Sequence, residues 1–331
     1  MATLPTYFRQ ALHNVQPAED EKNAADAHDQ VSDALTGDPK LRQLGIDPVL
    51  IGSYAREVSI KRVKDVDVFG RLTNADARLN PGDALNLFER ALSRKFGEER
   101  VERQHRSLKT EFPEFDLCVD SVPARPYGDH WEIPNRPNER ARWMETNPTR
   151  LNELTTQVNQ TFTLNGSGIY VPVVKLVRQT RRTWIGDRPG GFFFEVMTYW
   201  SFVTWRPDET SVAGYLTVTL ERIAGMLPKV ASDGLADPTL PDETITTKAT
   251  AADFQTATAR IDEAAKLARA ALDEPDECKA AAMWRELLGK TSEGDDVFPM
   301  PEYCNADGTR RRASGVTVGA TRVPAGSGRY A

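Results

Sequence analysis

The chain has 331 residues, 40% of them hydrophobic and 27% charged, with a net charge of −6. That length allows two domains, or one elaborated domain with a sizeable core, and the balance fits a water-soluble globular protein. A surplus of acid argues against a main task of non-specific nucleic-acid binding, and no apolar run reaches the ~18 residues of a membrane-spanning helix.

Residues 5 to 36 carry spaced apolar positions, Phe8, Leu12 and Val15, then Ala24, Ala27, Val31 and Leu35. They predict one or two amphipathic helices ending near Gly37 and Pro39. Short strands are expected at 48–52 (PVLIG), 65–72 (DVDVFGRL), about 101–106 and 115–123 (FDLCVDSVP), the last ending at Pro123. Between the second and third lies DALNLFERALSRKFG at 83–97, with helical apolar spacing, Asp83 at its start and Gly97 past its end.

After about residue 145 the pattern becomes helical. NPTRLNELTTQVNQTF, VPVVKLVRQTRRTW, FFFEVMTYWSFVTW and VAGYLTVTLERIAGML each have helix length, and two alanine-rich segments, TAADFQTATARIDEAAKLARAAL and DECKAAAMWRELLG, follow. The breaks are GDRPGG at 186–191 and DGLADPTLPDE at 233–243. The last stretch is rich in Gly, Arg and Ser with little to bury, and reads as a flexible tail. The predicted class is α+β, a small mixed β-sheet with flanking helices packed on a C-terminal helical domain. The expected divisions are 1–40, helices packing on the core; 41–145, the sheet core; 146–295, the helical domain; and 296–331, the tail.

The N-terminus lacks a basic start followed by an apolar stretch, so no secretory signal is evident. Three widely spaced cysteines, Cys118, Cys278 and Cys304, point to a reducing compartment and no disulfide framework. A cytoplasmic protein is therefore expected. None of the four histidines pairs with a cysteine at a zinc-like spacing.

The chemistry concentrates in GSYAREVSIKRVKDVD at 52–67. In a strand, Asp65 and Asp67 share one face about 6.6 Å apart, while Val66 and Val68 face the other side. Two carboxylates this close repel unless a cation or water separates them. A solvated acidic strand face is the plainest reading of the pair alone. Gly52 and Ser53 follow a strand, so a phosphate can approach a backbone without a Cβ and accept from the Ser53 hydroxyl and nearby N–H groups. One piece cradles a polyphosphate and the other binds the cations that neutralise it. A third carboxylate would complete a two-metal site. FDLCVDSVP offers Asp120, with Asp116 as the alternative on the same face.

In this order, GSY-A-R, DVD and VDSVPA resemble the DNA polymerase β-type nucleotidyltransferase superfamily, and most closely the bacterial cGAS/DncV-like nucleotidyltransferases (CD-NTases). VPVVKLVRQTRR ahead of GGFFFEVMTYWSF is similar to that family's central helices, and the alanine-rich helix with AAMWRELLG to its C-terminal half, so the resemblance spans roughly residues 45 to 290. Val58 departs from the threonine often found there. The resemblance implies Asp65, Asp67 and Asp120 as ligands of two Mg²⁺ ions, with Mn²⁺ as a substitute. It also implies Gly52 and Ser53 on the donor triphosphate, and Lys175 with Arg178 approaching the phosphates from the helical half. Arg56 is either a phosphate ligand or a partner of the acidic cluster, and Trp184, Tyr199 and Trp205 are either base-stacking or core aromatics.

The activity implied is synthesis of a cyclic oligonucleotide second messenger from NTPs in anti-phage (CBASS) signalling, the product acting on a downstream effector. Neither a membrane nor long nucleic acid is expected as a partner. In this family some members are conjugated through their C-terminus by a ubiquitin-transfer-like enzyme, which makes Ala331 a candidate attachment point. The rival readings are nucleotide transfer to an RNA end, a protein or a small molecule, and a non-catalytic nucleotide-binding scaffold.

Overall fold

The computed structural model describes residues 2–17, 19–135 and 143–311. The first part runs α1 (Pro5–Val15), α2 (Glu19–Gly37), α3 (Pro39–Gln43), β1 (Ile46–Ile51), α4 (Gly52–Ala55), β2 (Asp65–Leu72), α5 (Pro81–Phe96), β3 (Val101–Arg103) and β4 (Leu108–Phe112). It continues with β5 (Leu117–Tyr127), β6 (His130–Pro134) and β7 (Trp143–Thr146). The second part holds α6 (Pro148–Thr161), a small hairpin of β8 (Thr163–Leu164) and β9 (Ser167–Gly168), then α7 (Tyr170–Trp184), α8 (Gly191–Trp205), α9 (Val212–Asp233), α10 (Ala251–Asp273) and α11 (Glu277–Leu288).

The strands form one mixed sheet in the order β1-β2-β5-β4-β3, with β6 on the far half of β5 and β7 on β6. Among the described strand pairs, only the central β2–β5 pair is parallel; its neighbours are antiparallel. Alternation sorts the side chains. Val66, Val68 and Val119 are fully buried beneath α2 and α5, packed with Val31, Leu35 and Phe88. A fully buried phenylalanine such as Phe88 contributes roughly 2–3 kcal/mol through removal from water. The alternate residues Asp65, Asp67 and Asp120 therefore face the opposite way, toward the helical half.

That half has its own core, built on α7, α8, α9, α10 and α11. The α8 helix sits at its centre and is apolar on nearly all sides, with Phe194, Val196, Met197 and Phe202 fully buried. Helix α1 belongs here rather than to the sheet. Phe8 meets Trp284 and Phe298 edge-on, with ring centroids 5.0 and 5.1 Å away. The N-terminal segment expected to pack on the sheet core as a unit is thus divided, with α2 on the sheet and α1 on the helices.

Four other expectations are corrected. Strand β5 runs past Pro123 to Tyr127: Pro123 still stands opposite Gly70 of β2, and on its other edge it falls between the last pairing with β4 at Ser121 and the first with β6 at Arg125, a gap where a missing N–H is tolerated. The strand expected near 101–106 is a hairpin, turned between Gln104 and Ser107 by a backbone bond of 2.9 Å. Residues 296–311 are packed rather than a loose tail: Val297, Phe298 and Cys304 are fully buried. Cys278 and Cys304 are joined as a disulfide, which closes this segment onto α11. The rest of the expected tail, 312–331, with Ala331, lies outside the described residues.

Candidate active site

Strand β1 ends at Ile51, and Gly52 turns the chain into the single-turn helix α4. Gly52 has φ +81°, and a Cβ there would lie 2.0 Å from Asp67 Oδ2. Glycine is needed on both counts: the left-handed backbone, and the close approach of the carboxylate. The turn and the acid are neighbours because Ile51 pairs with Asp67 across β1 and β2. Ser53 Oγ and Ser59 Oγ are 3.0 Å apart beneath the turn, and Val58, the departure from threonine, is fully buried.

Across the parallel pair, Asp67 stands opposite Asp120 and Asp65 opposite Cys118. This register puts Asp65, Asp67 and Asp120 on one face, and all three line a cavity of about 730 Å³ between the sheet and α7. Burial, followed by the charge of Asp120, pushes Asp67 up to about 6; burial, followed by Asp65, does the same to Asp120. Asp120 Oδ1 is buried without a hydrogen-bond partner among the described residues. Raised acids and an orphaned carboxylate oxygen are what hard divalent cations relieve, since Mg²⁺ and Mn²⁺ take oxygen ligands. The residues therefore fit such ions, although among the described residues no three acidic, His or Cys side chains yet converge on one point. Asp116 sits before β5 in a left-handed conformation and forms an ion pair with Arg62 at 3.0 Å.

The opposite wall is cationic. Arg178, Arg181 and Arg182 on α7 line the same cavity, with Arg62 and Lys64 at its rim. Burial lowers Arg181 to about 10, and its guanidinium donates to the carbonyls of Asp187 and Pro189 at 2.9 and 3.1 Å. A second cavity of about 470 Å³ adjoins the first, sharing Ser53, Asp67 and Arg178 and extending to Phe192 and the 237–246 segment.

Arg56 is buried and grips Glu195 on α8 with two bonds, at 2.5 and 3.2 Å. It thus has a carboxylate partner outside the acidic strand pair. Lys175 stands apart from the acidic cluster. It lines another cavity of about 560 Å³ with Tyr54, Glu57 and Ser59, which meets the acidic cavity at Ser59, and burial lowers its pKa. The aromatics singled out in the sequence line neither of the two adjoining cavities. Trp184 donates to the Leu287 carbonyl at 2.9 Å, Tyr199 is buried, and Trp205 packs beneath Arg222 on the surface. Phe192 and Glu195 went unnoticed in the sequence. The run GGFFFE held a signal, since an acid among core phenylalanines needs a buried cation.

Residues 1–159 match the family described as the second messenger oligonucleotide or dinucleotide synthetase domain. A cyclic AMP-AMP-AMP synthase from Acinetobacter sp. (strain ATCC 27244 / 9458) is 28% identical over 299 residues, covering 87% of this chain and 84% of that protein. Among solved structures, CdnC of E. coli MS115-1 with ATP superposes with a TM-score of 0.68 at 17% identity, covering 89% of this chain and 98% of that one. The GTP complex of the Bradyrhizobium diazoefficiens CD-NTase CdnG gives 0.65 at 16% identity, covering 85% and 96%. Residues 1–159 thus resemble a second messenger oligonucleotide or dinucleotide synthetase domain, and over most of its length the chain is similar to a cyclic AMP-AMP-AMP synthase and shares the fold of the bacterial cGAS/DncV-like nucleotidyltransferases CdnC and CdnG.

Proposed function

We propose that Asp65, Asp67 and Asp120 carry out nucleotidyl transfer between nucleoside triphosphates, with ATP among the substrates. One observation carries this reading: the parallel register that sets Asp120 beside Asp67, on the face of Asp65 and across from the Gly52–Ser53 turn. ATP is the first nucleotide to test, because the Acinetobacter relative is a cyclic AMP-AMP-AMP synthase.

The turn at Gly52 and Ser53 binds the donor triphosphate through the Ser53 hydroxyl and nearby backbone N–H groups. Arg178 adds a planar cation at the boundary of the two cavities. Two Mg²⁺ ions held by Asp65, Asp67 and Asp120 would offset the charge of the phosphates and acidify the attacking hydroxyl. A ribose hydroxyl of one nucleotide forms a bond to the α-phosphorus of the other, and pyrophosphate leaves. The Asp120 oxygen that lacks a partner is the one it would offer to those ions, and the proton of the attacking hydroxyl passes to solvent. Repeating the step within one site closes the ring, and positioning supplies much of the rate. The product is the signal of an anti-phage response, read by a downstream effector.

Incubation with radiolabelled ATP, GTP, CTP and UTP, with Mg²⁺ or Mn²⁺, followed by phosphatase, tests the reading. A labelled product that survives phosphatase is expected, and ATP should be required for it. A product whose terminal phosphates are all removed would return the enzyme to linear or acceptor-directed transfer. No product with any nucleotide would favour the scaffold.

A further inference from the structure

Glu195 is the least expected charge in the fold. It lies one turn into α8, between Phe194 and Val196, and is 1% exposed. A lone carboxylate there is untenable, and the structure gives it two cations. Arg56, from the end of the Gly-Ser turn, donates to both of its oxygens, and Arg178 Nη1 donates to Oε2 at 3.3 Å. Burial alone would lower Arg56, and Glu195, together with Tyr170 and Asp67, more than offsets it; burial lowers Arg178 and Glu195 only partly opposes it.

The three residues come from three separate elements: the turn after β1, helix α7 and helix α8. Two guanidiniums and one carboxylate leave one net positive charge. It stands on the Arg178 side, because Arg56 spends its fork on Glu195 whereas Arg178 gives it a single bond. That bond is the only hydrogen bond of Arg178 among the described residues, so its other N–H donors stay free where the two cavities meet. Gly191 makes room for this arrangement, since a Cβ there would sit 3.2 Å from Arg178 Cζ.

We infer that Glu195 is a positioning residue for nucleotidyl transfer: through its bond to Arg178 it fixes that guanidinium toward the phosphates of the bound nucleotide, and through Arg56 it ties the Gly-Ser turn to the same frame. This rests on the nucleotidyltransferase reading above and adds a residue to it. Glu195 lines the second cavity but is 1% exposed, its oxygens taken by the two arginines. It decides where a cation stands.

Glu195→Gln keeps the shape and removes the charge. Two readouts are taken on the folded variant, which is checked by thermal unfolding. One is KM and kcat for product formation from NTP; the other is calorimetric binding of inorganic triphosphate without nucleotide. KM should rise about tenfold and triphosphate affinity should fall by a similar factor. The double variant Arg178→Ala/Glu195→Gln should lose clearly less than the sum of the two single losses, because Glu195 acts in part through Arg178. A purely structural Glu195 would lower the unfolding temperature and the active fraction, hence apparent kcat, while KM and triphosphate binding stayed at wild-type values. That result overturns the inference, as does an additive double variant.

Should Glu195→Gln fail to fold, Glu195→Asp, which keeps the charge with a shorter reach, takes its place. A partial rise in KM is then expected, and wild-type values for both readouts overturn the inference. If the wild-type protein makes no product, the functional reading falls, whereas the triphosphate binding of the variants still decides the role of Glu195.

Discussion

At Asp67 and Asp120 two needs compete. Folding would prefer neutral side chains on a half-buried strand face, whereas a polyphosphate site needs ionised ones. Both acids are raised to about 6, chiefly by burial. A raised carboxylate binds its proton more tightly folded than unfolded. Metal-free protein therefore loses stability from these groups as pH climbs from about 4 through 6, and pays nothing below the unfolded value. Replacing Asp67 by Asn should stabilise the metal-free protein at pH 7.5 by on the order of 2 kcal/mol, read by denaturant unfolding, while abolishing product. Metal competes with the same protons, so wild-type activity should fall as pH drops through about 6 and recover in part at higher Mg²⁺. A stable, fully active Asp67→Asn variant would move the site elsewhere. Gly52→Ala makes the complementary test. With φ +81° and Asp67 Oδ2 2.0 Å from the added Cβ, it should lose both activity and stability, whereas a harmless substitution would mean the turn can open freely.

Helix α7 distributes its cations unevenly, and that ranks them. Arg178 lines both cavities that contain Asp67, whereas Lys175, three residues earlier, lines another with Tyr54 and Glu57. A helix turns about 100° per residue, so three positions come close to one face without coinciding. Titration with a non-hydrolysable NTP should show a loss of roughly tenfold or more for Arg178→Ala and a smaller one for Lys175→Ala. The reverse order would mean that the turn and α7 rearrange when nucleotide binds. At the same scale, α8 owes its central place to a largely apolar surface: the buried Thr198 and Ser201 hydroxyls donate to the helix's own carbonyls, and its buried charge is Glu195, which meets two arginines.

For the molecule as a whole, the last packed residues belong to the helical core. Phe298 touches Phe8, and Cys304 is bonded to Cys278, so the chain is anchored up to about residue 311. Truncation after Arg311 should leave purified activity and unfolding temperature unchanged, whereas truncation after Lys290 should destabilise the protein by exposing Trp284 and Phe8. Lost activity in the shorter deletion would show that residues 312–331 complete the site. The helices of the second half and the shared face of Asp65 and Asp67 were legible in the sequence, because periods of 3.6 and 2 depend only on the local backbone. The Gly-Ser turn was legible too, since only glycine suits its backbone. Distance along the chain hid the rest. Asp120 becomes the partner of Asp67 only through a parallel register that no local pattern encodes. Arg56 finds Glu195 139 residues away, and α1 joins the helices because Phe8 fits beside Trp284. Local propensity set the elements and which way their side chains face; long-range packing chose which charges meet, because burying a charge is tolerable only where the fold delivers its partner.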